Sequence, residues 1–116
     1  MDTATARERL EEISAELGRS ISVLDRADAR PDQSPEYPQD PADAGANLSE
    51  TDRAQAMVDA ARRQLGQVRD ALARIDHGTY GTCVDCGGPV PEGRLEAKPE
   101  AARCVACQGR RDRQRR

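Results

Sequence analysis

Phenylalanine and tryptophan are missing from this 116-residue chain, and tyrosine occurs only twice. An ordinary globular interior is built on such large apolar side chains, so a conventional core of that kind is excluded. The single histidine, His77, pairs with no nucleophile in a recognisable pattern, and no glycine-rich phosphate loop is present. The carboxylates fall on a proline-rich stretch or on outward helix positions, so the chain is expected not to be an enzyme. No apolar run approaches the roughly eighteen residues of a membrane span. The opening MDTATARERL is charged and lacks the apolar segment of a signal peptide, which points to a cytoplasmic protein.

Two substitutes for a large core remain, and both have sequence support: a coiled-coil seam of small and medium aliphatics, and a metal whose binding energy supports the fold. From about Thr5 to Ala29, the residues Ala6, Leu10, Ile13, Leu17, Leu24 and Ala27 follow heptad steps, with Ser20 interrupting and Ile21 beside it. Thr5 with Glu8 offers a capping box, with Asp2 or Thr3 as other caps, and Pro31 ends the helix. From Ser49, a cap supported by Asp52, a second seam runs through Val58, Ala61, Leu65, Val68, Leu72 and Ile75 to a stop at Gly78. Each helix has about 25 residues and a length of about 38 Å. Between them, residues 31–48 carry four prolines and a glycine without periodicity, the composition of a turn, with helical turns possible only after Pro41. Matching seams joined by such a turn predict an antiparallel coiled-coil hairpin over residues 1–78, with its tip loop at 31–48.

Charge is distributed unevenly along this hairpin. No basic residue lies between Arg30 and Arg53, while Asp32, Glu36, Asp40, Asp43, Glu50 and Asp52 give that stretch a charge of −6. Residues 110–116 hold five arginines and one aspartate, a short basic tail. The two regions suit partners of opposite charge.

Cys83 and Cys86, then Cys104 and Cys107, form two CxxC pairs separated by seventeen residues. Each pair lets two thiolates converge through a tight turn, and two pairs complete the tetrahedron of structural zinc. Gly87 and Gly88 follow the second cysteine, where a metal knuckle needs positive φ and free N–H groups. Disulfides suit a secreted chain, and a redox CxxC belongs near a βαβ pattern; neither context is present. One structural Zn²⁺ held by all four cysteines is therefore expected, with no position left open for catalysis. His77 is unneeded as a ligand and reads as a helix-terminus residue. Val90, Leu95 and Ala101 are expected to pack against the site in a finger over residues 79–109, and Pro99 to start a short C-terminal helix that is interrupted or frays near Gly109.

The run from Tyr80 to Gln108 resembles the zinc finger of the DksA/TraR family of bacterial transcription factors. Tyr80-Gly81 before the first cysteine, Cys83-x-x-Cys86-Gly87, Arg94-Leu95-x-Ala97-x-Pro99, and the second CxxC with Gln108 carry the likeness. The resemblance implies a mainly α fold, an antiparallel coiled-coil hairpin followed by a small four-cysteine zinc finger and a short C-terminal helix. It also implies binding to RNA polymerase, with the coiled coil inserted into the secondary channel and tip aspartates approaching the active centre. Family members change the lifetime of promoter complexes, the best-known ones together with the alarmone ppGpp. Their tip motif is Asp-Pro-x-Asp-x-Ala; here Asp40-Pro41-Ala42-Asp43-Ala44-Gly45 matches it through Asp43, and Gly45 replaces the final alanine. The polymerase-contacting tip implied is Asp40, Asp43, Ala44 and Gly45. Longer members carry a further N-terminal segment; alarmone sites that depend on it are expected to be absent or incomplete.

Two other functions fit parts of the sequence. A zinc module with a basic tail can bind nucleic-acid phosphates, although the arm lacks a sustained basic stripe and aromatics for base stacking. The faultless seam from Val58 to Ile75 would also serve a coiled-coil adaptor or homodimer, although pairing within one chain makes a monomer the expectation.

Overall fold

A computed structural model describes residues 2–28 and 41–115, with side chains over 2–24 and 49–115. Four helices follow one another: α1 (Thr3–Asp28), α2 (Pro41–His77), α3 (Glu92–Ala97) and α4 (Val105–Gln114). No strand is formed among the described residues, only an isolated antiparallel bridge between Thr82 and Pro89.

α1 and α2 pack against each other as the hairpin the two seams demand. They run antiparallel, because Arg7 near the start of α1 pairs with Asp76 near the end of α2 at 2.6 Å. Leu10, Val68 and Ala71 are fully buried in the seam, flanked by Ile13, Leu17, Leu72, Ile75 and Tyr80. Ala6 and Val58 are buried as well. Ala71 was not among the seam residues of the heptad pattern; lying three residues after Val68, it shares that face of α2.

Of the caps the sequence offers for α1, Asp2 serves: its Oδ1 accepts from the Thr5 backbone N–H at 2.8 Å and its Oδ2 from the Thr5 hydroxyl at 3.2 Å. α2 begins at Pro41 instead of Ser49. Proline is suited to the first turn of a helix, where its missing N–H costs nothing, and the following Ala-Asp-Ala permits helix. Part of the expected tip loop is therefore helical, and α2, at 37 residues, is about 55 Å long, well beyond the 38 Å expected.

At its other end α2 stops where Gly78 was expected to stop it. Gly78 adopts φ +76° and donates to the Ile75 carbonyl, while the Thr79 N–H reaches back to Arg74 O at 2.9 Å. This pair of bonds satisfies the last carbonyls and turns the chain out of the helix towards the cysteines.

Beyond it, Cys83, Val90, Leu95, Ala101 and Cys107 form a second small core, with Tyr80 and Cys104 against it. Tyr80 touches both cores and donates its hydroxyl to the Pro99 carbonyl at 2.9 Å. Among the described residues no helix is long and apolar enough to cross a membrane.

Candidate metal centre

The first pair of cysteines is presented by a tight hairpin spanning residues 81–90. Cys83 N–H donates to Gly88 O at 2.7 Å, Gly87 N–H to Cys83 O at 3.0 Å, and Val90 N–H to Gly81 O at 2.8 Å. Gly87 closes the turn at φ +74°, a region costly for any residue with a Cβ. The turn leaves the Gly88 N–H directed at Cys86 Sγ, 3.4 Å away.

The second pair opens α4. Cys104 is the extended N-cap residue at φ −68° and ψ 167°, and Cys107 lies on the first turn, with Gln108 N–H donating to Cys104 O at 2.9 Å. Two thiol groups thus sit at the positive end of a helix dipole, which favours thiolates. Pro99 does not start this helix. It is buried in a turn held by Tyr80, and the chain stays outside the helix until Cys104. α4 then runs unbroken through Gly109, so the arginines of the basic tail up to Arg113 are part of it.

Several contacts clip the two loops together. Val84 N–H donates to Ala102 O at 3.0 Å. Arg103, one residue before Cys104, pairs through Nε with Asp85 Oδ2, one residue before Cys86, at 2.7 Å. Arg94 on α3 donates from Nε to the Arg103 carbonyl at 3.0 Å. Neither α3 nor these arginine bridges was foreseen. α3 is too short to show a helical period, and each bridge joins residues nine or eighteen positions apart.

The four sulfurs lie within 4.8 Å of one another. Cys86 Sγ and Cys104 Sγ are 3.9 Å apart, far beyond a disulfide bond, and all four cysteines are free. Four thiolates about 2.3 Å from a single zinc ion would be separated by about 3.8 Å, so the cluster fits that ion. Cys83 and Cys107 are buried, Cys104 is half-buried and Cys86 is exposed. Backbone N–H groups, those of Cys86 and Cys104 foremost, pull the Cys83 thiol down to about 6. Cys107 is pushed up to about 12, chiefly by its hydrogen bond with the Cys104 sulfur and by burial. One thiol of the cluster is thus biased towards its thiolate, and another holds its proton until a cation displaces it.

His77 ends α2, with Nδ1 donating to the Ala73 carbonyl at 2.7 Å, and stands outside the cysteine cluster. Of the tip residues, Asp40 lies outside the described residues. Asp43, Ala44 and Gly45 fall within the first two turns of α2, at the end of that helix opposite the finger.

A groove of about 330 Å³ between α2 and the finger is also cationic, with Arg74, Arg94, Lys98, Arg103 and Arg111 outnumbering Asp70 and Glu100. Arg74 Nη2 is buried there without a partner, and desolvation lowers that residue's proton affinity. Such a lining favours an anion.

The prokaryotic dksA/traR C4-type zinc finger model matches residues 78–113. The RNA polymerase-binding transcription factor DksA of Caulobacter vibrioides is 40% identical over 70 residues, 59% of this chain and 49% of that protein. The uncharacterized protein YbiI of Escherichia coli is 36% identical over 63 residues, 49% of this chain and 72% of that protein. The structure of transcription factor DksA2 from Pseudomonas aeruginosa superposes over 97% of this chain and 84% of its own with a TM-score of 0.67, at 21% identity, a likeness of fold. The chain's match spans about half the length of its DksA relative.

Proposed function

From the membership of this chain in the DksA/TraR C4-type zinc finger family, we propose that it is a cytoplasmic, non-enzymatic transcription regulator that binds RNA polymerase. One zinc ion, held by Cys83, Cys86, Cys104 and Cys107, would supply a crosslink between the two loops of the finger. The observation that carries the proposal is four sulfurs gathered within 4.8 Å at the base of a long helical hairpin. The finger fixes the root of the hairpin, and α2 carries Asp43 about 51 Å from its finger end.

In this proposal the hairpin enters the secondary channel of the polymerase. The −6 stretch at its tip is drawn to cationic surfaces and bound Mg²⁺, and Asp40 and Asp43 act near the active centre. Gly45 is the departure from the family's tip motif that bears on the strength of this effect. The exposed arginines of α4 favour a second, weaker contact, with nucleic-acid phosphates.

The test is the lifetime of open promoter complexes of the cognate polymerase, with the wild-type protein and with Asp43→Asn at equal concentration. The expected result is a changed lifetime that Asp43→Asn abolishes while it still competes for polymerase. No binding to polymerase would overturn the proposal, and a strongly salt-dependent affinity for bare DNA would put the nucleic-acid contact in its place.

A further inference from the structure

On the side of the finger where Cys86 is exposed, a second groove of about 360 Å³ is lined by Asp85, Cys86, Cys107, Arg110, Arg111 and Gln114. It opens at the exposed Cys86 and has the buried Cys107 in its lining. Cys107, Arg110, Arg111 and Gln114 occupy positions i, i+3, i+4 and i+7 of α4, so one helix face forms the wall. Helical side chains lean towards the N-terminus, and Arg110 accordingly reaches back one turn, with Nη2 3.5 Å from Cys107 Sγ. Arg111 lines the same groove, yet among the described residues no hydrogen bond joins it to a sulfur.

Four thiolates around a divalent ion leave a net charge of −2, held against a small apolar core. Donors to the sulfurs spread that charge and keep each thiolate on the metal. Cys86 receives the Gly88 N–H, and Cys107 receives the Arg110 guanidinium. The latter is a charged donor, placed at the mouth through which a competing ligand would arrive.

We propose that Arg110 is a positioning residue of the metal centre, whose hydrogen bond to the Cys107 sulfur retains the zinc ion against loss through this groove. The inference rests on the zinc reading above. Arg110 acts on Cys107 alone, and Arg111 provides an internal control of equal charge.

The experiment follows zinc release from the zinc-loaded full chain into an excess of chromogenic chelator, for wild type, Arg110→Ala, Arg110→Gln, Arg110→Lys and Arg111→Ala. Circular dichroism verifies the fold of each. Release should be about tenfold faster for Arg110→Ala and Arg110→Gln, the scale of outer-sphere effects on metal sites. Arg110→Lys should recover most of the retention, and Arg111→Ala should match wild type. In the cobalt-substituted protein, the sulfur-to-metal charge-transfer band should move to lower energy in Arg110→Ala, because the sulfur electrons lose a stabilising charge. Wild-type release rates in Arg110→Ala, or equal acceleration in Arg111→Ala, would overturn the role of Arg110 while leaving the zinc site intact. A wild-type chain that takes up no zinc would sink both together.

Discussion

Among single residues, the two extreme thiols set the pH response of the site. At pH 7 the Cys83 thiol, pulled down to about 6, is already ionised, whereas Cys107, pushed up to about 12, still carries a proton that a metal must displace. Metal binding therefore releases protons, and apparent zinc affinity should fall as pH falls. For the zinc-loaded protein the sign is the same: the unfolded chain binds more protons than the folded one, so stability is lost towards acid. Competition with a zinc chelator from pH 8 to about pH 5 checks this, and a flat profile would contradict thiolate ligation. Arg74 obeys the opposite logic of a residue kept at a cost. The Nη2 of its partly buried guanidinium has no hydrogen-bond partner, and the residue lines the cationic groove.

Among elements, the hairpin contains two glycines that its packing does not require. A Cβ at Gly18 in α1 or at Gly66 in α2 would meet no atom within 4 Å. Glycine in a helix interior costs up to about 1 kcal/mol relative to alanine. Gly18→Ala and Gly66→Ala should each raise the thermal midpoint of the zinc-loaded protein by a few degrees, whereas Gly87→Ala, at φ +74°, should lower it. A fall in midpoint for either helix variant would mean that its glycine serves a bend or an approach not evident in the hairpin. Such contrasts separate glycines held for geometry from those merely tolerated.

For the molecule as a whole, two small cores replace one ordinary core, and Tyr80 touches both. Only the finger's core contains the cysteines, while the hairpin's core is aliphatic apart from Tyr80. Zinc removal should therefore unfold the finger and leave α1 and α2, which hold most of the helix, largely formed. Circular dichroism with chelator titration, together with a count of about one zinc released per chain, checks this; cooperative loss of all helix would show that Tyr80 binds the two cores into a single folding unit.

Much of this architecture was legible in the residues themselves. Heptad steps place aliphatics on one face whatever their surroundings, so Leu10 and Val68 marked the seam. A CxxC turn brings two sulfurs together by local geometry, and Gly78 ends a helix because only glycine adopts the required φ cheaply. What the tertiary structure decided depended on distance through space. α2 extends back to Pro41, beyond which local composition allowed helical turns without requiring them. α3 is set between the two cysteine loops, too short for any period to reveal it. The bridges of Arg103 to Asp85 and Arg94 to the Arg103 carbonyl arise only once the chain has returned on itself. Arg110 lies one helical turn from Cys107, and that spacing became meaningful when α4 proved continuous through Gly109. Periodicity and turn chemistry act over a few residues and can be read from sequence; the pairing of charges around the sulfurs is settled by the packing of separate loops.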